Sequence, residues 1–324
     1  MNTAKKNPFV SVILPVYNEE RYLEECLKSL KEIDYPVDLY EIISVDNGSQ
    51  DNSFFIAQQY ADQCLLIKDV NVGAVRNYGA LHSRGEMLVF LDSDCIVDKG
   101  WLRRGVELLK QETKSVYGGT LFLRTNPLWI EKYWLLPIDK DNSIQSDLRG
   151  SCIFIRKIDF LAEKGFDESI TSGEDSDFSL KLKNDGFRVE ITDDLGVVHL
   201  GNPVTVGGFI RRQIWHSENY IKKIKKSIFD KTFILVVLYL LSVIFSLLYI
   251  VYLGSLNLCV IILLLIIPAI FSFKRIRRAN FRNRNFIDIF CIYIIDHLYL
   301  VGRSLGLLKG LCEKISESFV TKGK

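Results

Sequence analysis

Three observations predict an α/β domain built on a mixed, mostly parallel sheet and followed by C-terminal transmembrane helices. Short β-branched runs alternate with helical patterns from residue 9 onward. Two of the early strands end directly in aspartate. Residues 232–273 then run for 42 positions without one Asp, Glu, Lys, Arg or His. The whole chain of 324 residues is long enough for one large domain and a second element. Its 48% apolar and 25% charged composition is that of a globular protein, which excludes a disordered or collagenous chain. A mean hydropathy of +0.13 is raised by the apolar stretch alone.

FVSVILPV (9–16) reads as a buried strand by length and composition. The next segment, 19–33, places Tyr22, Leu23, Cys26, Leu27, Leu30 and Ile33 on one helical face. Glu19 and Glu20 open that helix, where acids suit the positive end of its dipole. LYEIISVD (39–46) is a second strand, and DNGSQDNS (46–53) is a polar turn into another helix. A third strand is expected near 64–68, a helix over 75–83, and the strand MLVFL (87–91) before Asp92-Ser93-Asp94. Alternation of this kind gives a parallel sheet covered on both faces. YGGTLFLR (117–124), RGSCIFIRKIDF (149–160) and GFRVEITDD (186–194) read as later strands, with a helix over 175–185.

The C-terminal part divides by charge. Residues 222–231 hold five lysines and one aspartate, and 274–284 hold six basic residues and no acid. These two stretches carry +10 of a total of +2, so the remainder of the chain carries −8. That distribution excludes a nucleic-acid binder with a globally basic surface and sets cations where a membrane has its headgroups. Residues 232–253 would span about 33 Å as a helix, enough to cross the hydrocarbon core. Residues 254–257 form a turn, and 258–273 return with Pro268 as a kink. The expected organisation is a main domain (1–222), a basic juxtamembrane segment (223–231), a transmembrane hairpin (232–273), a basic cytoplasmic loop (274–285), a third membrane-associated or transmembrane helix (286–310) and a tail (311–324). The third helix carries Asp288, Asp296, His297 and Arg303, which favours an interfacial or re-entrant segment over a span. Basic flanks on both sides of the hairpin place the main domain in the cytoplasm, at the plasma membrane.

Seven scattered cysteines form no C-x-x-C pair and read as reduced thiols, in keeping with a cytosolic domain. The apolar run 9–17 contains Pro15, lacks a small-residue cleavage site and continues into two glutamates, so it is not read as a signal peptide.

In open α/β sheets ligands bind beyond the carboxyl ends of the strands, and Asp46, Asp92 and Asp94 are all expected there. Asp92 and Asp94, one residue apart, are either two solvated acids in a turn or a pair able to hold Mg²⁺ or Mn²⁺ against a substrate phosphate. Asp46 either closes an Asx-turn or accepts from a nucleobase N–H or a ribose hydroxyl. Glu174 and Asp175 are either acids favoured in the first turn of a helix or a carboxylate placed as a general base.

The pieces LPVYNEE (14–20), VDNGSQDNS (45–53), NVGAVRNYGA (71–80), FLDSDC (90–95), RGSCIFIRK (149–157) and GFDESITSGEDSDFSLKLKNDGFRV (165–189) occur in the order found in glycosyltransferase family 2. The chain resembles a membrane-anchored member of that family, with the Rossmann-like GT-A fold, over most of residues 9–200. The resemblance implies inverting transfer of a sugar from a nucleotide-diphosphate donor to a hydroxyl. It implies that Pro15, Tyr17 and Glu19 line the nucleotide pocket, that Asp46 contacts the base, and that Arg76 lies beside the phosphates. Asp92 and Asp94 would be the metal motif, for Mn²⁺ or Mg²⁺, with His199 approaching the metal or diphosphate unless it is simply a structural histidine between Val198 and Leu200. Asp175 would be the catalytic base and Glu174 its neighbour in the acceptor site. The region 211–216 (RRQIWH) has the residue types but not the spacing of the Q-x-x-R-W of processive synthases, so a single transfer is expected over polymerisation. Trp215 either stacks on an acceptor sugar or packs against the sheet. The expected donor is a UDP-sugar ahead of a GDP-sugar, and the expected acceptor is a lipid-linked glycan in cell-surface polysaccharide or glycan assembly. A polyprenyl-phosphate monosaccharide synthase and a non-catalytic membrane scaffold are the alternatives.

Overall fold

The computed structural model describes residues 7–136, 147–170, 172–222, 224–253, 258–279 and 285–322. The chain forms two compact units. The first comprises Met1–Arg124 and Gln145–Gly201, and the second Thr125–Ile144 and Asn202–Lys324.

The first unit contains, in order, β1 (Val10–Val16), α1 (Leu23–Lys31), β2 (Tyr40–Asp46), α2 (Ser53–Tyr60), β3 (Gln63–Leu66), α3 (Val72–His82), β4 (Met87–Leu91), β5 (Cys95–Ile96), α4 (Trp101–Gln111) and β6 (Ser115–Phe122). After an excursion into the second unit, which holds α5 (Trp129–Trp134), the chain returns as β7 (Cys152–Arg156), α6 (Lys157–Ala162), α7 (Glu174–Asn184) and β8 (Arg188–His199). One eight-stranded sheet has the order β3-β2-β1-β4-β7-β6-β8-β5. β3, β2, β1 and β4 are parallel; β7 enters antiparallel between β4 and β6, and β8 lies parallel to β6. This is the mixed, mostly parallel sheet that the sequence predicts.

Period-two alternation explains why β1 is apolar almost throughout. Val10, Val12, Leu14 and Val16 face one core with Leu23, Leu27, Leu30 and Trp101, while Ile13 faces the other with Val45, Val75, Phe90 and Phe178. A strand buried on both sides cannot alternate polar with apolar. The second core has an aromatic floor, where Phe90, Phe160, Phe166 and Phe178 meet at centroid distances of 4.8–5.6 Å.

The described residues of the first unit add two helices, α4 and α6, to the expected elements. α4 buries Trp101, Leu102, Gly105, Val106 and Leu109 along one side. The segment 149–160 is not one strand: β7 stops at Arg156 and α6 follows, its helical turn carrying Phe160 into the aromatic floor. β8 also runs to His199, five residues beyond the expected end, with an irregular register opposite Gly119 and Leu121.

The second unit is helical: α5, α8 (Val206–Lys222), α9 (Ile224–Ser227), α10 (Lys231–Leu253), α11 (Leu258–Arg278) and α12 (Phe286–Lys322). Ile130 and Tyr133 of α5, Phe209 and Ile221 of α8, Val236 of α10, Ile276 of α11 and Ile295 and Leu300 of α12 share one core. Arg275 donates to the Trp134 carbonyl at 2.6 Å and pairs with buried Asp296. Tyr133 donates to Asp288 at 2.8 Å. Along α12, Gly302, Gly306 and Gly310 lie on one stripe against α8. A side chain at Gly306 would meet the Ile214 carbonyl and the Ser217 hydroxyl, and one at Gly310 the Glu218 carbonyl at 2.6 Å. Ser217 Oγ uses this close approach to donate to the Arg303 carbonyl at 2.9 Å.

Among the described residues, one helix segment, Lys231–Tyr252, is long and apolar enough to cross a membrane. The expected turn at 254–257 lies outside the described residues, as do positions 280–284 of the expected basic loop. The third apolar segment is the first part of α12, a continuous helix of 37 residues that contains no reversal.

Candidate active site

The sheet order reverses between β1 and β4, with β2 and β3 on one side of that point and the later strands on the other. Loops leaving the two strands in opposite directions open a crevice there, the ligand-binding position of open α/β sheets. Val16 is level with Asp46 in the β1–β2 register, and Leu91 ends β4 just before Asp92.

The loops after β1 and β2 are laced together. The Asn18 amide donates to Ser49 Oγ at 3.0 Å, and the Gln50 amide returns a bond to Asn18 Oδ1 at 2.8 Å. The Glu19 amide donates to Ser53 Oγ at 2.7 Å, while Glu20 accepts from the Asn52 amide at 3.0 Å. Asn18 has φ +56°, a left-handed conformation that asparagine tolerates at a sharp turn. Burial raises the Asp51 carboxyl's proton affinity, but hydrogen bonds from Ser53 and the Glu20 amide outweigh it and leave the pKa below the ordinary value.

Asp46 sits beneath this double loop at 2% exposure. Its Oδ1 accepts from the amides of Gly48 and Ser49, both at 2.8 Å, which is the expected Asx-turn. Its Oδ2 is also buried and has no hydrogen-bond partner among the described residues. A buried carboxylate oxygen left unmatched is costly, so this atom marks a place where a donor from outside the chain would fit. Pro15 is half-buried at the end of β1, Tyr17 is exposed just beyond it, and Glu19 lies in the laced loop.

Arg76 of α3 is the centre of a second group. The helix begins at Asn71, whose side chain accepts from the Ala74 amide at 2.9 Å. Asn77 bonds to both the amide and the carbonyl of Phe166 at 2.9 Å, which ties α3 to the loop before α7. Between them Arg76, 3% exposed, donates from Nη2 to Asp92 Oδ1 and from Nη1 to Glu174 Oε1, each at 2.7 Å. Burial disfavours its charge, but the two carboxylates more than compensate and hold the guanidinium firmly protonated. It packs over the Phe166 ring at 5.6 Å and directly against Gly150, where any side chain would collide with the guanidinium. The Gly150 amide donates to Asp175 Oδ2 at 3.0 Å, and the Ser176 amide donates to Asp175 Oδ1 at 2.7 Å. Asp175 is thus held as an acceptor at the start of α7, beside Glu174. Arg149 is close enough to Asp175 for its charge to be felt, and burial lowers the proton affinity of that guanidinium.

A third group forms where β5 pairs with β8. Cys95 is directly opposite His199 in the antiparallel register. His199 Nε2 is 3.3 Å from Asp94 Oδ2, and the Leu200 amide donates to the Asp94 carbonyl at 2.8 Å. Cys95 Sγ is 3.7 Å from Asp94 Oδ1. Asp94, Cys95 and His199 each offer one donor atom, and all three atoms lie within 4.8 Å of one another. Burial, reinforced by the charges of Asp94 and Asp92, pushes the Cys95 thiol well up.

The residues singled out in the sequence therefore fall into three groups on one edge: Glu19 with Asp46, Arg76 with Asp92, Glu174 and Asp175, and Asp94 with His199. Asp92 Oδ1 is engaged by Arg76, and Asp94 meets His199. Asn77, Arg149 and Cys95 were not assigned from the sequence. Their signal was adjacency to residues that were: Asn77 follows Arg76, Arg149 precedes Gly150, and Cys95 follows Asp94.

The family model described as glycosyl transferase family 2 matches residues 11–154. Glycosyltransferase AglE of Haloferax volcanii is 30% identical over 218 residues, which cover 64% of this chain and 71% of that protein. The uncharacterized glycosyltransferase EpsJ of Bacillus subtilis is 26% identical over 215 residues, 60% of this chain and 62% of that protein. Among solved structures, a mannosyltransferase from Pyrobaculum calidifontis, in complex with GDP-Man and Mn²⁺, superposes with a TM-score of 0.61 at 19% identity. That alignment covers 94% of this chain and 88% of the other, a likeness of fold. With its sheet order, its acidic edge and a relative matched over most of its length, this chain belongs to glycosyltransferase family 2.

Proposed function

We propose that the protein is an inverting, metal-dependent glycosyltransferase that moves one sugar from a nucleotide-diphosphate donor to a hydroxyl of a lipid-linked glycan. The observation that carries the reading is the buried, unpartnered Oδ2 of Asp46 on the same sheet edge as the Arg76–Asp92–Glu174 array, Asp94 and His199. In this reading Asp46 accepts from the nucleobase within the pocket bounded by Pro15, Tyr17 and Glu19. The presence of GDP-Man in the solved mannosyltransferase keeps a GDP-sugar beside a UDP-sugar as the donor.

The donor set of Asp94 and His199, a carboxylate and an imidazole 3.3 Å apart, fits a divalent cation such as Mn²⁺ or Mg²⁺. Asp92 stands next to them in sequence and is held by Arg76. When bound, the cation would offset the negative charge that develops on the departing diphosphate. Asp175 is the general base. Its carboxylate, fixed by the Gly150 and Ser176 amides, takes the proton of the acceptor hydroxyl as that oxygen bonds to the anomeric carbon and the bond to the diphosphate breaks. Attack opposite the leaving group inverts the centre in one displacement. Glu174, bonded to Arg76, fixes the start of α7 and with it the position of Asp175.

Membrane attachment completes the proposal. α10 contains the apolar segment Lys231–Tyr252, and α11 ends in Arg275, Arg277 and Arg278. These features support a multi-pass plasma-membrane enzyme with the domain organisation read from the sequence, its catalytic domain cytoplasmic and its acceptor at the inner leaflet.

The test is release of UDP or GDP by detergent-solubilised protein from a panel of nucleotide sugars, with membrane lipid extract and with or without Mn²⁺ or Mg²⁺. Metal-dependent turnover of one donor, reduced by roughly 10²–10⁴-fold in Asp175→Asn with donor affinity retained, is expected. Turnover unaffected by Asp175→Asn would remove the assigned base, and turnover in the presence of a chelator would remove the metal.

A further inference from the structure

We propose that Cys95 is a third ligand beside Asp94 and His199, so that this chain carries a sulfur-containing metal site that takes thiophilic divalent cations, Zn²⁺ or Cd²⁺, as well as harder ones. The proposal rests on the reading of Asp94 and His199 as metal ligands and adds a donor that a hard-cation site does not require.

The three donors are clustered on the scale of a small tetrahedral site. With metal–sulfur bonds of about 2.3 Å and metal–nitrogen or –oxygen bonds of about 2.0–2.1 Å, ligand atoms around a tetrahedral ion stand roughly 3.3–3.6 Å apart. Asp94 Oδ2 and His199 Nε2 are 3.3 Å apart, and Asp94 Oδ1 and Cys95 Sγ are 3.7 Å apart. The two contacts are made by different oxygens of Asp94, and one donor atom from each of the three residues lies within 4.8 Å of the other two, so a turn of the Asp94 carboxylate brings them onto one ion. Strand pairing secures the arrangement, because directly opposed residues of an antiparallel pair project to the same face and Cys95 is opposed to His199. The other buried thiols nearby are otherwise engaged: Cys26 Sγ donates to the Asp92 carbonyl at 3.8 Å and Cys152 Sγ to the Leu195 carbonyl at 3.4 Å.

Three protein donors leave one position of a tetrahedral ion open, the pattern of sites that also bind substrate. Binding breaks the S–H bond of Cys95, releases that proton to solvent and forms a metal–thiolate bond, with no change of oxidation state. Zinc outranks manganese for mixed N/O/S donors, so micromolar zinc would compete with Mn²⁺ at this site.

The experiment is a Cd²⁺ titration of the full-length, detergent-solubilised chain, followed by the ultraviolet sulfur-to-cadmium charge-transfer absorption. The background is a Cys64→Ser/Cys291→Ser/Cys312→Ser variant, which removes the thiols that are not fully buried among the described residues. One equivalent of Cd²⁺ is expected to saturate the band. Cys95→Ser abolishes it, and His199→Gln keeps the band but weakens Cd²⁺ affinity by roughly 10–100-fold. His199→Gln leaves the thiol in place and so tests the site even where Cys95→Ser fails to fold. A band that persists in folded Cys95→Ser, an affinity indifferent to His199→Gln, or no band at all overturns the proposal. Binding of Mn²⁺ with UDP or GDP, read by electron paramagnetic resonance, is measured in parallel. Mn²⁺ binding without the cadmium band removes Cys95 alone, whereas failure of both removes the metal site altogether.

Discussion

Arg76 donates to Glu174 at 2.7 Å across 98 residues of sequence, and the second arm of the same guanidinium holds Asp92. One side chain therefore sets the position of the loop after β4 relative to the start of α7. Removing it strands two carboxylates, one of them almost fully buried. Arg76→Ala is expected to lower the unfolding free energy by about 3–5 kcal/mol, the usual cost of breaking a buried pair from one side. Arg76→Lys is expected to be partly destabilised, since an ammonium cannot present two parallel donors to two carboxylates. Urea unfolding in detergent, followed by tryptophan fluorescence, measures both.

Asp46 gives a prediction of the opposite kind. Asp46→Asn can keep the Gly48 and Ser49 bonds through its amide oxygen, yet it puts an NH₂ where Oδ2 now lies unpartnered. Nucleotide affinity should fall by about 1.5–3 kcal/mol, or roughly 10–100-fold, while the unfolding midpoint stays nearly fixed. Calorimetric titration with UDP and GDP beside a thermal melt separates the two effects. Equal affinity in the variant would take Asp46 out of the nucleotide site.

These two residues show what the sequence carried and what it did not. Asp46 was legible because a strand of apolar residues ended on it and a glycine-containing turn followed. The ligand edge was legible because strand and helix alternated through β4. The Arg76 array was not, because its partners Asp92 and Glu174 are joined only by the antiparallel return of β7 through the sheet. No local pattern encodes that crossing. α4 was not among the expected elements, although Trp101, Leu102, Gly105, Val106 and Leu109 have helical spacing. His199 was expected after the last strand and instead ends β8, and its meeting with Cys95 depends on β5, a strand of two residues too short to leave a signal.

The glycine stripe of α12 makes a third prediction. Gly306→Leu must push apart α8 and α12, because its side chain has no space between the Ile214 carbonyl and Ser217. Overpacking of this kind costs about 1–3 kcal/mol, and loss of the Ser217–Arg303 bond adds to it. Thermal unfolding in detergent should show the loss, with Gly306→Ala intermediate. An unchanged midpoint for Gly306→Leu would mean the two helices do not need this approach.

Burial and the neighbouring charges of Arg303 and Arg212 lower the His216 pKa to about 3. An unfolded chain protonates this imidazole near pH 6.5, so below that value the unfolded state binds more protons than the folded one. The stability due to neutral His216 is complete above pH 6.5 and is lost as pH falls towards 3. At pH 5 the loss is about 2 kcal/mol. His216→Gln, which cannot titrate, should lose less stability than the parent between pH 7 and 5; equal losses would show that His216 is already free to protonate.

The excursion between β6 and β7 also governs how this chain can be divided. Ile130, Tyr133 and Trp134 are made before β7 and β8, yet the groups they rest on, including Phe209, Arg275 and Tyr299, come after Gly201. During synthesis α5 must wait until Phe209, 75 residues beyond Trp134, has emerged, and for Arg275 and Tyr299 longer still. A soluble catalytic fragment ended at Gly201 would keep that debt permanently. Deleting α5 together with the helical tail, rather than the tail alone, is the cut the fold allows.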